Sequence, residues 1–242
     1  MLTLFHSMVV IMSVFDETQQ ERDIELSELL NKPYKDITKL QISSPDSIRV
    51  YGGKDELKTK EDLENLYADF KDLNFPAYLK TLMFTSVERR HPNLLKLLRL
   101  VKNMTCLDFG SGVATHAIAL AENKNKVTII DLPGPLLRFA ITRMTRRNLD
   151  FDVIVANDDL PKEKFDVIIC TDVIEHVFDP LEELMCITES IKPKGFLHLQ
   201  VSRRVEPSLG HFERSNKIWE DHGRHFINNN FTRKAETIYV KN

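Results

Sequence analysis

The sequence predicts a doubly wound α/β domain with a mostly parallel sheet, preceded by a mainly helical extension. Three observations carry this. From Thr105 onward, short apolar runs alternate with helical runs, strand then helix, several times over. One of these runs, Phe165 to Cys170, is almost continuously apolar, as a strand covered on both faces should be. And the chain has only eight glycines in 242 residues, yet two of them, Gly110 and Gly112, sit one residue apart where the first strand ends.

Residues 1–103 form the extension. Met1 to Phe15 is apolar, without a basic leader or a small-residue cleavage site, and too short to span a membrane. Asp16 to Glu28 holds six acids and one base, with helical spacing at Ile24, Leu26, Leu29 and Leu30. Asn31-Lys32-Pro33 stops that helix. Ser43 to Gly53 reads as turn, short strand, turn. Leu63, Leu66, Tyr67 and Phe70 give an amphipathic helix over 61–70. Pro76 opens a helix through Tyr78, Leu79, Leu82, Met83 and Phe84, and Pro92 opens another through Leu94 to Leu100.

Residues 104–242 form the α/β domain. Strands are expected at Cys106–Phe109, Val127–Asp131, Asp152–Ala156, Phe165–Cys170 and Phe196–Val201. Helices fall between them, at Val113–Ala121 and from Pro135 to Arg147. Asp179-Pro180-Leu181-Glu182 is a capping signature for a helix ending near Ile191, after which Pro193-Lys194-Gly195 turns the chain. Lys217 to His222 reads as helix stopped by Gly223, and Ala235 to Val240 as a last strand. Arg224 to Ile227 is the little that remains for a strand before it, so a shortened sheet edge is expected.

Composition narrows the class. Hydrophobic residues make up 42% and charged residues 29%, with a net charge of −3, so the overall charge favours neither nucleic acid nor membrane. Cys106, Cys170 and Cys186 are widely spaced and odd in number. That argues against disulfides and zinc and for buried free thiols in a reducing cytoplasm. The late histidines His198, His211, His222 and His225 match no zinc spacing. Arg138, Arg143, Arg146 and Arg147 read as a solvated helix face, with a phosphate or RNA contact as the alternative.

In such a sheet, ligands bind at the carboxyl ends of the strands. The first strand runs into Asp108-Phe109-Gly110-Ser111-Gly112, where glycines let backbone approach a ligand and the next helix presents its N–H groups. The second strand ends in Asp131, placed to accept hydrogen bonds from both hydroxyls of a ribose. The third position of a dinucleotide fingerprint is Thr115, not glycine, and Asp108 would repel a pyrophosphate. A ligand with an ammonium and a sulfonium would accept that acid, and S-adenosylmethionine is such a ligand. A nicotinamide-dependent dehydrogenase is disfavoured for the same reasons.

LDFGSGVA, VTIIDLPG, ANDDLP, FDVIICTDVIEHV and IKPKGFLHLQV resemble, in order and spacing, the motifs of class I S-adenosylmethionine-dependent methyltransferases. The likeness covers 104–201 and is greatest to enzymes acting on small molecules in quinone and natural-product pathways. It departs from DxGxGxG at Ala114. The resemblance implies a Rossmann-like methyltransferase fold. It implies that Asp108, Gly110 and Gly112, with Ser111 between them, hold the methionine end and that Asp131 holds the ribose. Leu132 would lie against adenine, Asn157 and Asp158 at the adenine edge, and Thr171, Asp172 and Val173 on the floor where sulfonium and acceptor meet. The product would be S-adenosylhomocysteine.

His176 and His211 are the candidate catalytic histidines. His176 is a possible base or a supporting loop residue, and His211 faces an acceptor pocket built from 201–212 and the aromatic residues Tyr67, Phe75, Tyr78 and Phe84. Small-molecule O- or N-methylation is the leading reading. An RNA or protein methyltransferase and a non-catalytic binding module are the alternatives. The fourth strand lacks a Pro-Pro-aromatic signature, which disfavours methylation of nucleic-acid bases.

Overall fold

A computed structural model describes residues 13–42, 59–61, 75–88, 91–156, 158–202 and 213–242. The strand expected within 43–53 and, but for its first residue, the helix expected over 61–70 lie outside these residues. So do His211, Asn157 and Tyr67.

Seven strands make one sheet in the order β3-β2-β1-β4-β5-β7-β6. They are β1 (Thr105–Phe109), β2 (Lys126–Asp131), β3 (Phe151–Val155), β4 (Phe165–Thr171), β5 (Ile191–Gln200), β6 (Phe231–Arg233) and β7 (Ile238–Lys241). The first five pair in parallel, while β7 runs antiparallel to both β5 and β6. The chain leaves β1 towards β2 and β3, then crosses back to β4 on the other side of β1. In such sheets that reversal, here at the carboxyl ends of β1 and β4, is where ligands bind.

The helices, in chain order, are α1 (Gln19–Leu29), α2 (Tyr34–Lys39), α3 (Phe75–Glu88), α4 (Pro92–Leu100), α5 (Thr115–Glu122), α6 (Pro135–Arg146), α7 (Pro180–Ser190), α8 (Glu213–Ile218) and α9 (Arg224–Asn230). Alternation along the strands sorts side chains to two faces. Cys106, Val167 and Ile169 join α4, α5 and α6 in one buried cluster. Leu107, Ile168 and Cys170 join α7 and α9 in the other. A third cluster sets Leu26 of α1, Ile37 of α2 and Leu79 and Met83 of α3 against Val113 and α6. Each such side chain is worth about 1.5–3 kcal/mol on burial, so this third cluster contributes to holding α1 and α2 in place. No helix among the described residues is long and apolar enough to cross a membrane.

The caps follow the sequence. Thr18 and Glu21 close a capping box at α1, and the Asp179 carboxylate accepts the N–H groups of Leu181 and Glu182 at α7.

Other expectations are corrected. The helix after β1 starts at Thr115, not Val113, because Ala114 is left-handed at φ +58°. Pro193–Gly195 does not precede β5 but forms an irregularity inside it; a Cβ on Gly195 would lie 2.9 Å from the Lys192 carbonyl oxygen. Gly223 does not stop a helix. The chain continues through a wide turn, Trp219–Gly223, straight into α9, and Gly223 is required because a Cβ there would lie 2.4 Å from the Trp219 ring. The strand before the last is therefore not Arg224–Ile227 but Phe231–Arg233, and the edge hairpin is complete although short. Cys106 and Cys170 are buried, but Cys186 is exposed on α7.

The arginine run is a solvated face only in part. Arg138 and Arg146 are exposed, but Arg143 is fully buried and Arg147 is largely covered. Arg147 pairs with Glu17 at 2.7 Å, Glu25 at 2.7 Å and Glu122 at 3.5 Å. The acidic N-terminal segment and this helix are complementary surfaces of one fold.

Candidate active site at the carboxyl edge of the sheet

The turn after β1 is fixed by backbone. The N–H groups of Gly110 and Ser111 both donate to the Ile130 carbonyl, at 2.9 and 3.0 Å, and that of Ala114 donates to Ser111 at 2.7 Å. Gly110 (φ +73°) and Gly112 (φ +53°) are both left-handed. They are needed for different reasons. A Cβ on Gly110 would lie 2.4 Å from Val173 Cγ2, because the turn after β1 presses on the turn after β4. A Cβ on Gly112 would meet nothing within 4 Å among the described residues. Gly112 therefore presents bare backbone to open space at the switch point. Ala114 adopts the left-handed region without being glycine, at a cost of about 1–2 kcal/mol.

Asp131 ends β2. Its Oδ2 accepts the Gly112 N–H at 2.7 Å and its Oδ1 accepts the Leu132 N–H at 2.8 Å. Burial pushes its carboxyl up to about 6; the two backbone donors oppose the shift and the Asp108 charge adds to it. The Ala156 N–H donates to the Asp131 carbonyl at 2.9 Å, which brings the turn after β3 beside it. Asp158, in that turn, is exposed and its N–H donates to Val155.

Asp108 is buried, and its Oδ2 accepts the Ala117 N–H at 3.0 Å. Its Oδ1 lies 3.8 Å from His116 Nδ1. In this structure it fastens the first turn of α5 to β1, a capping role beside whatever it does for a ligand.

Four buried polar atoms near this edge have no hydrogen-bond partner among the described residues: Ser111 Oγ, Thr171 Oγ1, Gln200 Oε1 and Glu175 Oε2. Thr171 and Gln200 are register partners at the ends of β4 and β5. Leaving such a group unpaired costs about 1–3 kcal/mol, so each of the four takes a hydrogen bond from water or from a bound polar group. An adenosyl amino acid fits this donor and acceptor set: hydroxyls for Asp131 and polar groups for the orphaned atoms.

Glu175 was not singled out by sequence reasoning. It is fully buried on the short turn Ile174–His176, and its Oε1 accepts the Ser202 N–H at 2.6 Å. Burial, with the Asp172 charge, pushes its carboxyl up to about 8. The signal was present in the run Asp172-Val173-Ile174-Glu175-His176, where His176 drew attention as the residue titrating near neutrality. His176 is half-buried on the same turn, and its N–H donates to the Val173 carbonyl at 2.8 Å. Asp172 is exposed and left-handed at φ +53°.

From α3, Phe75, Tyr78 and Phe84 are half-buried. Tyr78 lies close enough to Asp131 for that charge, after burial, to push its phenol up. The late histidines do not share an environment: His198 is fully buried in β5, while His222 and His225 are exposed. Among the described residues, no three His, Cys, Asp or Glu side chains gather as a metal site.

The chain is similar to several known proteins. The chain is 28% identical over 114 residues to a ubiquinone biosynthesis O-methyltransferase of Hydrogenovibrio crunogenus, covering 46% of this chain and 47% of that protein. It is 33% identical over 107 residues to the Histophilus somni protein of the same name, covering 41% and 45%. The match thus spans about half the length of these curated relatives. A crystal structure of a methyltransferase from Aquifex aeolicus superposes with a TM-score of 0.48 at 20% identity, covering 76% of this chain and 98% of that one. The family profile described as a methyltransferase domain matches residues 79–236, more than half of the chain. That span takes in the glycine turn, Asp131 and the turn after β4, and with it the chain belongs to the methyltransferase-domain family.

Proposed function

We propose that the chain transfers a methyl group from S-adenosylmethionine to an oxygen or nitrogen of a small-molecule acceptor. The observation that carries this is the open left-handed turn at Gly112, tied to Asp131 and lying near orphaned polar atoms. Asp131 would hold the ribose hydroxyls, Leu132 and the turn at 157–158 the adenine, and Gly110 to Gly112 the methionine end. Thr171, Asp172 and Val173 would form the floor beneath the reacting groups. When bound, the cofactor supplies a methyl group activated for in-line displacement.

The chain's own contribution is then mainly geometric. Holding the acceptor in line, about 3 Å from the methyl, recovers on the order of 7–11 kcal/mol. The N-terminal region, residues 1–103, would cap the site, with Tyr78 and Phe84 offering aromatic surface to the acceptor. His176, or His211 from the segment after β5, would take the proton from an acceptor hydroxyl. The relatives named as ubiquinone biosynthesis O-methyltransferases support a phenolic hydroxyl as the acceptor group. Two free buried thiols agree with a reducing, cytoplasmic setting. RNA as the acceptor loses half of its arginine support, since Arg143 and Arg147 are engaged by Glu17, Glu25 and Glu122.

The test is formation of S-adenosylhomocysteine by the purified protein with a panel of catechols, phenols, amines and short RNAs. Turnover is expected with phenolic members. Turnover with RNA alone would contradict the proposal, and donor binding without any turnover would point to a non-catalytic module.

A further inference from the structure

The glycine turn is gripped from outside the α/β domain. Arg143 of α6 is fully buried. Its Nη1 donates to the Val113 carbonyl at 2.8 Å and to Thr115 Oγ1 at 3.0 Å. Its Nε donates to Glu25 Oε2 of α1 at 3.0 Å, and Nη2 lies 3.0 Å from the same oxygen, at an angle too bent for a hydrogen bond. Ser86 of α3 adds a hydrogen bond to Thr115 Oγ1 at 2.8 Å. Two N-terminal helices therefore converge, through Arg143 and Thr115, on the residues flanking left-handed Ala114. That conformation costs an alanine about 1–2 kcal/mol, so something must hold it.

We propose that Arg143, locked by Glu25, is a positioning residue for the methyl-donor turn, so that helix α1 sets the affinity for the donor. This rests on the reading of Gly110–Gly112 as the donor site. Arg143 touches no ligand in this account. It fixes the Val113 carbonyl and Thr115, and through them the direction of the Gly112 backbone. Without Glu25, a buried guanidinium would lose its counter-charge and turn away from the carbonyl towards water.

The experiment is calorimetric titration of S-adenosylhomocysteine into the wild-type chain and into Glu25→Gln, well below the melting temperature of each. Glu25→Gln is expected to weaken binding about tenfold. Where an acceptor supports turnover, the KM for the donor rises by the same factor while kcat at saturating donor is kept. Glu28→Gln is the control: it removes the exposed 3.4 Å pair with Arg146 between the same two helices and leaves affinity unchanged. Thr115→Val removes the acceptor shared by Arg143 and Ser86 and is expected to weaken binding too; it serves if Glu25→Gln does not fold. Wild-type affinity in a folded Glu25→Gln or Thr115→Val protein would overturn the proposal. No binding by the wild-type chain would overturn the reading of the site, and this proposal with it.

Discussion

The Gly112 N–H donates to the Asp131 carboxylate across 2.7 Å, joining the turn after β1 to the end of β2. One oxygen thus shapes the turn proposed to approach the donor, on the residue proposed to bind its ribose. Because burial raises this carboxyl to about 6, it is largely protonated at pH 5 and ionised at pH 7. A ribose is held best by the ionised form. Affinity for S-adenosylhomocysteine is therefore expected to rise between pH 5 and pH 7 and then level off. In Asp131→Asn that step is absent. Titrations at several pH values check this; an affinity that falls over the same range would contradict the role of Asp131. The raised pKa also means that the apo fold gains from the protonated form below about pH 4 and loses that gain as pH rises through 6.

The two glycines of the turn should respond differently to alanine. Gly110→Ala meets Val173 Cγ2 at 2.4 Å in a left-handed backbone and is expected to cost about 2–3 kcal/mol or more in stability. Gly112→Ala meets nothing among the described residues, so it is expected to cost only about 1 kcal/mol in backbone conformation. Its methyl does occupy the open side, so donor affinity falls by more than stability does. Denaturant unfolding and calorimetry on the two variants separate these effects; equal losses of affinity at unchanged stability in both would contradict the assignment.

His198 sits fully buried in β5, and neither ring nitrogen has a partner among the described residues. Burial, with smaller effects from His116 and His91, depresses it to about 3. The unfolded chain takes up this proton near pH 6.5 and the folded chain does not, so stability is full above pH 6.5 and is lost as pH falls towards 3. Between pH 6.5 and 5 the loss is on the order of 2 kcal/mol. His198→Leu is expected to stabilise the protein by about 1–3 kcal/mol at pH 7 and to remove that part of the acid sensitivity. Urea unfolding at pH 7 and pH 5 measures both.

Much of this was legible in the chain because period and punctuation agreed. The five parallel strands, Pro at the starts of α4, α6 and α7, and the Asp179 cap all follow local rules that tertiary structure did not override. The edge hairpin was misread because Trp219 packs on Gly223. A residue type that usually stops helices is used here to admit a ring, and that shifted the strand from 224–227 to Phe231–Arg233. The arginine run was misread because charge alone does not tell a solvated face from one covered by a complementary helix. Of the acids that cover it, Glu17 and Glu25 lie over a hundred residues earlier and only Glu122 is near in sequence. Glu175 was passed over because its burial comes from sheet packing and from Ser202, neither visible in its neighbours.

The N-terminal helices carry a buried charge pair of their own. Lys80 Nζ lies 3.1 Å from Asp23 Oδ2 and donates to the Ile37 carbonyl at 2.9 Å, with both side chains buried. Lys80→Met would leave the Asp23 carboxylate buried, with Gln19 its one remaining donor among the described residues. A loss of about 3–5 kcal/mol is expected, much of it recovered in the double variant with Asp23→Leu. Equal destabilisation by the single and double variants, in urea unfolding, would contradict that account.

The most direct test is equilibrium titration of S-adenosylhomocysteine into the purified wild-type chain at pH 7.5, alongside Asp131→Ala. The structure leads us to expect saturable binding by the wild type, and a loss of at least about tenfold in Asp131→Ala from the missing charged acceptor. Absence of binding by the wild type, or equal binding by the folded variant, would contradict the assignment of the carboxyl edge as a methyl-donor site.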